Sequence, residues 1–514
     1  MNSNHSLSKL IVTNFGPIHR ANIELCPLSV FVGQSNTGKS YLATLIYVLH
    51  KFFHHLRSQL WYGLHTKFDS LLQSGSNDEI NRWSASLAQT ANHLYDFKTD
   101  RSTSQHEIGL SDPLGAYFKS MISNLDTALL EEEIVRCFGL PLDDLCPMNG
   151  ESNPHIVIHH VTDEPDHDVE FQFLLQSGNI ESSTTIPDEM IVKLRGDNIN
   201  ASHIFSFLAE PEDYLEPDGS AINIRGSRLL SAISPYISAN IWEPFAGYAY
   251  YVPSERTGMM RVLNAIVGGM IGHSAMDGIR PSPHMDELTG VMTDFLEVFT
   301  SLDAPQSNPH LHQAEKSSDQ LQNICARMEG KILKGTILTR NSEITNIPQF
   351  VYQPRELGNP LPLKNASSTV SELAPILLYL RHKARSGDIL IIEEPESHLH
   401  PEVQVQLTLE IAAIVNAGIR VIVTTHSEWI LEELANLVNL SSLDKEDRVK
   451  IDENDEALDP KDVGVFLFQE EEQANGSTVK RIDLDESSLY PSGYDEVATA
   501  LYNKSARIFN KREG

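Results

Sequence analysis

The sequence is poor in cysteine, poor in positive charge and without a long apolar run. Four cysteines in 514 residues (Cys26, Cys137, Cys146, Cys325) make no disulfide framework and lack the paired spacing of zinc knuckles. They point to reduced thiols in a cytoplasmic protein. No apolar run approaches the roughly 18 residues of a membrane span, and the opening MNSNHSLSKL lacks the basic end and apolar stretch of a signal peptide. Secretion and membrane insertion are therefore disfavoured. Lys and Arg number 39 against 70 Asp and Glu, a formal net charge of −31. That balance excludes a uniformly basic, histone-like surface, because phosphate contacts need Lys and Arg, but it leaves room for a local basic groove. No heptad pattern is sustained over three or four repeats, so a long coiled coil is not expected, and no Ser-His-Asp order or catalytic-cysteine context stands out.

What is present is a globular chain. Hydrophobic residues make up 41%, with 29 glycines, enough to bury a core, and about 150 residues per domain gives roughly three domains, or fewer if one carries large insertions. Near the start, Leu10-Ile11-Val12, Ala21 to Leu25 and the short apolar run Leu28 to Val32 predict strands. After Lys39-Ser40 the period changes: Leu42, Leu45, Ile46 and Leu49 fall on one helical face. From about 60 to 235 the pattern is less regular, with helix-like segments near 80–95 and 111–137 and β-like alternation in His155 to His160 and Val169 to Leu175. A strand returns at Ala249 to Pro253, and 286–340 reads as two helical segments around a polar break at Asp303 to Asn308. The segment 366–435 is clearer: a helix with Leu373, Leu377 and Leu380 on one face, a strand Asp388 to Ile392, a helix carrying Val403, Leu407, Ile411 and Ile414, and a strand Ile419 to Thr424. Helices between apolar strands predict crossovers in a mainly parallel α/β sheet. Two further strands, Val463 to Phe468 and Val479 to Asp483, and a closing helix from about Asp495 complete the reading.

The sharpest motif is Gly33-Gln34-Ser35-Asn36-Thr37-Gly38-Lys39-Ser40, a full G-x-x-x-x-G-K-[ST] between a predicted strand and helix. Backbone N–H groups of such a loop wrap phosphates, and the helix N-terminus adds partial positive charge. Lys39 reaches the β- and γ-phosphates and the Ser40 hydroxyl holds Mg²⁺. A second strand ends in Glu393-Glu394, at the edge where a doubly wound sheet presents its ligands. Glu393 is the candidate for the Mg²⁺ shell, directly or through water, and Glu394 for orienting and deprotonating the attacking water. Thr424-Thr425-His426-Ser427 closes the next strand, which places His426 toward the γ-phosphate or the attacking water. His155, His159 and His160 lie in an alternating strand without a matching ligand set, and His398 and His400 belong with the carboxylate turn rather than with zinc.

These residues resemble ABC-type ATPases of the SMC/RecF and OLD branch. The resemblance rests on Ile11 to Ile18 leading into Val32 to Ser40, on Ile391 to Pro401 and on Thr424 to Ser427, with a weaker match at Tyr251-Val252-Pro253-Ser254-Glu255-Arg256. It implies an ABC-type P-loop ATPase head that binds ATP and Mg²⁺ and dimerises, or assembles further, with ATP sandwiched between heads. Glu394 and His426 would then be catalytic, Ser40 and Glu393 on the metal, and Ser367 or Ser368 the signature serine reaching the partner's nucleotide. Thr369-Val370 departs from the usual signature glycines, and Glu393 replaces the usual aspartate. The implied domains are an N-terminal half of the head over 1–60, an inserted α+β and helical region over 61–235, a C-terminal half over 236–440 and an α/β extension over 441–514.

SMC-type members carry a long coiled coil that nothing here can form. OLD nucleases carry a C-terminal TOPRIM domain, for which little chain remains after His426 and after the lone Asp483-Leu484-Asp485. The expectation is an OLD-like ATPase that senses or regulates with a separate effector such as a nuclease, as in anti-phage defence. Two alternatives stand beside it: a RecF-like repair ATPase that clamps DNA, and a nucleotide-gated scaffold with little hydrolysis. The acidic charge favours work through a partner protein over unassisted DNA clamping.

Overall fold

The computed structural model describes residues 7–99, 105–146, 153–160, 168–176, 178–187, 191–195, 245, 247–261, 263, 288–302, 319–341, 348–356, 358–451, 456–471, 476–482 and 504. In chain order the first elements are β1 (Lys9–Phe15), β2 (Ile18–Glu24), β3 (Leu28–Gly33), α1 (Lys39–Ser74), α2 (Asn77–Thr99), β4 (Gln105–Gly109), α3 (Leu114–Ser123) and α4 (Thr127–Phe138). There follow β5 (His155–His160), β6 (Val169–Gln176), β7 (Asn179–Thr185), β8 (Ile191–Arg195), β9 (Ala249–Val252), α5 (Gly290–Thr300) and α6 (Asp319–Arg327). The rest comprises β10 (Gly335–Asn341), β11 (Pro348–Pro354), β12 (Leu361–Pro362), α7 (Ser368–His382), β13 (Ile389–Glu393), α8 (Pro401–Asn416), β14 (Arg420–Thr425), α9 (Glu428–Leu440), α10 (Lys445–Ile451), β15 (Val463–Glu471) and β16 (Gly476–Ile482). Two compact units divide the chain: Met1–Ile11, Val48–Glu133 and Asn153–Tyr248 form one, and Val12–Tyr47, Ile134–Ser152 and Ala249–Gly514 the other.

In the second unit the strands lie in the order β2-β16-β15-β3-β14-β13-β9. β9, β13, β14, β3 and β15 run parallel, and β16 turns back antiparallel on β15. β3 and β13 are buried at every position, as strands covered by helices on both faces must be. Leu373 and Leu377 of α7 and Leu407, Ile411 and Ile414 of α8 belong to one apolar core with Leu390, Ile392, Val421 and Val423. The expected α/β class, a mainly parallel sheet flanked by helices, is thus what the chain adopts. Local sequence sets the helix starts: Ser367 caps α7 by accepting from Val370 N–H, Ser427 caps α9 by accepting from Ile430 N–H, and Pro401 opens α8 behind His400, positions where such residues satisfy or do without free N–H groups.

In the first unit β5, β6 and β7 form an antiparallel meander and β4 pairs with β8. β6 buries Val169, Phe171, Phe173 and Leu175 in strict alternation, as its sequence predicts. Phe52 and Phe53 of α1 meet Phe173 and Phe171, and Phe53 stacks on Phe245. His159 Nδ1 lies 2.9 Å from Glu170 Oε2 across the β5–β6 pair.

Several elements differ from the sequence reading. The segment 111–137 is two helices, α3 and α4, and α1 runs on to Ser74. The stretch 286–340 holds two helical segments, α5 and α6, but does not end in helix: a π-helical turn over Met328–Leu333 ends at Lys334 with φ +52°, and β10 follows and pairs with β11. Glu393 is the last residue of β13, not the first of the turn. The polar break at 303–308, Asp483-Leu484-Asp485 and the helix expected from Asp495 lie outside the described residues. The four cysteines are free thiols. Among the described residues no helix is long and apolar enough to cross a membrane.

Candidate functional site

The loop from Gly33 to Ser40 joins β3 to α1 at the C-terminal end of the parallel strands. Its path depends on three left-handed residues, Gly33 at φ +134°, Asn36 at +65° and Gly38 at +94°. Glycine and asparagine are the residues that enter this region most readily. At Gly33 a Cβ would stand 2.3 Å from Phe468 O, so no side chain fits. Gln34, Ser35, Asn36 and Ser40 are exposed, while Thr37 and Lys39 are buried. Thr37 Oγ1 donates to Gln34 O at 2.8 Å, and Lys39 Nζ donates to Gly33 O at 2.9 Å and Gln34 O at 2.6 Å. Burial brings the Lys39 ammonium down to about 8, against the opposing pull of Glu394 and Glu396.

The carboxylates arrive on neighbouring strands. The Glu393 carboxylate accepts from Ser254 N–H at 3.2 Å and from the hydroxyls of Ser40 and Tyr251. Burial raises its pKa and those three donors pull it back. Tyr251 Oη also lies 3.3 Å from Thr44 Oγ1. Glu394 sits at φ +40°, its N–H donating to Thr424 O at 2.9 Å and its Oε2 accepting from Ser397 Oγ at 3.2 Å. A non-glycine residue held there is strained, a condition that clusters at active sites. His426 follows β14, and its N–H donates to Glu396 Oε1 at 2.6 Å. Burial first and the Lys39 charge second lower the His426 pKa, while Glu394 opposes them, so the imidazole is neutral near pH 7.

Lys39, Ser40, Glu393, Glu394 and His426 are therefore brought together. The exposed Gln34, Ser35 and Asn36 form the open rim of the same loop. Ser367 and Ser368 stand exposed at the start of α7, where Ser367 spends its hydroxyl on the helix cap. Side by side, the Ser40 hydroxyl and the Glu393 carboxylate are hard oxygen donors of the kind Mg²⁺ takes, with phosphates and water completing the shell. Among the described residues no group of three or more His, Cys, Asp or Glu could hold a metal ion; the donors fit a cation that arrives with a nucleotide.

The segment Tyr251 to Arg256, in the sequence only a weaker motif match, has no site role assigned from its residues there. β9 pairs with β13, and the residues from Tyr251 to Arg256 meet the carboxylate turn: Tyr251 and Ser254 reach the Glu393 side chain, and Arg256 donates to Glu393 O at 2.7 Å and Glu394 O at 3.0 Å. The available signal is the polar and charged run Ser254-Glu255-Arg256 directly after a strand, at the end where a parallel sheet presents its ligands. Glu396 and Ser477 also escaped the sequence reading. Ser477 Oγ donates to Thr37 O at 2.5 Å.

The AAA ATPase domain family (AAA_15) matches residues 293–431, from α5 through Glu393, Glu394 and His426. Over that stretch the chain is similar to AAA ATPase domains. No curated protein matches. Among solved structures, an SMC head bound to the C-terminal winged-helix domain of ScpA is 10% identical at a TM-score of 0.36, covering 93% of this chain and 98% of that one. The SMC head domain of Thermotoga maritima is 9% identical at a TM-score of 0.33, covering 93% and 98%. An Smc head with an extended coiled coil, bound to the C-terminal domain of ScpA and derived from Pyrococcus furiosus, is 10% identical at a TM-score of 0.35, covering 98% and 99%. The fold assignment rests on the strand order and the phosphate loop themselves.

Proposed function

We propose that this chain is an ABC-type ATPase head that binds ATP with Mg²⁺ and hydrolyses it to ADP and phosphate. The observation that carries the reading is the convergence of Lys39, Ser40, Glu393, Glu394 and His426 at the ends of adjacent parallel strands. Loop N–H groups and the start of α1 bind the phosphates. Lys39 exchanges its two carbonyl partners for phosphate oxygens, which restores its full charge. Glu394 accepts the proton of the water that attacks the γ-phosphorus as the bond to the leaving ADP oxygen breaks. His426, neutral, donates one ring N–H toward the γ-phosphate or that water. When bound between Ser40 and Glu393, Mg²⁺ supplies charge neutralisation at the β- and γ-phosphates.

The exposed start of α7, with Ser367 and Ser368, supports a head that dimerises or assembles further with ATP between protomers. The likeness of the three motifs to the OLD branch and the net charge of −31 support work in the cytoplasm as a sensor or regulator of a separate effector, a nuclease, in defence against phage. Two experiments test the two halves. Wild type should bind and turn over ATP with Mg²⁺, Lys39→Ala should bind none, and unchanged affinity in that variant would place the nucleotide elsewhere. Cells carrying the gene with its neighbours should resist phage, and should lose resistance with Lys39→Ala; protection that survives the variant removes the defence role.

A further inference from the structure

One buried side chain joins the carboxylate turn to α7. Arg256 is 0% exposed and Glu372 of α7 is 1% exposed. The Arg256 Nη1 donates to Glu393 O at 2.7 Å and Pro253 O at 3.2 Å, and Nη2 donates to Glu394 O at 3.0 Å. Nε donates to Glu372 O at 3.2 Å and lies 2.8 Å from Glu372 Oε2. Three separate pieces of chain thus meet on one planar fork: the exit of β9, the Glu393-Glu394 turn and the second turn of α7.

Burying an ion pair costs desolvation that apolar packing would avoid, so the pair is a poor way to gain stability alone. Its geometry offers something packing does not, a directional link from both catalytic-turn carbonyls to the helix that starts at Ser368. Lysine cannot reproduce it, because an ammonium is a point of charge without the rigid fork that reaches several acceptors at once.

We propose that Arg256 is a positioning residue for ATP hydrolysis, locking the Glu393-Glu394 turn to α7 through Glu372, so that Glu394 and the Ser367-Ser368 helix end keep a fixed relation. The inference rests on the ATPase reading above. The lock holds the strained Glu394 backbone in register with the phosphate loop, and a contact made at the start of α7 is passed to Glu394 through Arg256.

The test compares wild type with Arg256→Lys, Glu372→Gln and the double variant, each measured for ATP affinity, kcat and melting midpoint. Misplacing a catalytic group by a fraction of an ångström to one ångström costs about 10- to 100-fold, so each single variant should lose about that much kcat while its Kd for ATP stays within about threefold. The double variant should be no worse than the poorer single one, because both changes break the same link. Glu372→Gln keeps the size of the side chain and the Arg256 bond to the Glu372 carbonyl while removing the charge that pairs with Arg256, which preserves the test if Arg256→Lys fails to fold. Wild-type kcat in Glu372→Gln, or parallel loss of kcat, affinity and melting midpoint in it, would overturn the inference alone. A wild-type protein that binds no ATP would overturn the ATPase reading, and the inference with it.

Discussion

The hydroxyl of Ser477 donates to the carbonyl oxygen of Thr37 at 2.5 Å, so the phosphate loop is braced by a strand formed near the other end of the sequence. Ser477 is buried, and its N–H also donates to Pro17 O at 2.9 Å. Removing a partner from a buried acceptor costs about 1–3 kcal/mol. Ser477→Ala should weaken ATP binding by about tenfold, and calorimetric titration beside Ser477→Thr, which keeps the hydroxyl, checks it. Equal affinities in all three proteins would show that the brace does not order the loop.

Lys39 carries a pH signature. Its folded value lies at about 8 against an ordinary 10.5, so between those limits the unfolded chain holds a proton that the folded one has released. Stability from this group therefore rises with pH through that window, whereas phosphate binding needs the charge. ATP binding should take up a proton increasingly from about pH 7 to about pH 9, read from binding heats in buffers of different ionisation enthalpy. Heats independent of the buffer at both ends would contradict this placement of Lys39.

Glu394→Gln should keep nucleotide binding and lose turnover by about 100- to 10,000-fold, the usual contribution of a positioned general base. With hydrolysis blocked, ATP and Mg²⁺ should shift the protein to a larger species by light scattering. If the variant and wild type show the same negligible turnover, the chain is a nucleotide-gated scaffold.

At Gly33 the backbone sits at φ +134° with no room for a Cβ beside Phe468 O. Gly33→Ala should cost more than about 1 kcal/mol of stability and abolish ATP binding, whereas Gly358→Ala, with open space around it, should do neither. Chemical denaturation of both variants decides it.

Much of this architecture is written in contiguous residues. The phosphate loop, β13 and β14 are legible because each is a short apolar run with its functional residues at one end, and α7 and α8 because their apolar spacing is helical. β10 is hidden because its inward residue, Ile337, is followed at once by the outward-facing Leu338, and the strand follows directly on a helical stretch, so no change of period announces it. The role of Arg256, which falls within the weaker motif match, is hidden for another reason. Its partners lie in α7 and in the carboxylate turn, far along the chain, and periodicity reports which face a residue occupies, not which distant carbonyl it meets. Ser477 and Thr37 are the same case, a pairing set by the register of β16 beside β2.

The place of β3 bears on how this protein is made. Leu28 pairs on one side with Val421 and on the other with Val463, so the strand that ends in the phosphate loop leaves the ribosome long before either neighbour exists. Until then its apolar residues and unpaired edges have no native cover, the state in which nascent chains recruit chaperones or aggregate. Nucleotide competence is consequently a late event in synthesis, gained only when the C-terminal strands close around β3, and chains released early carry the motif without the site.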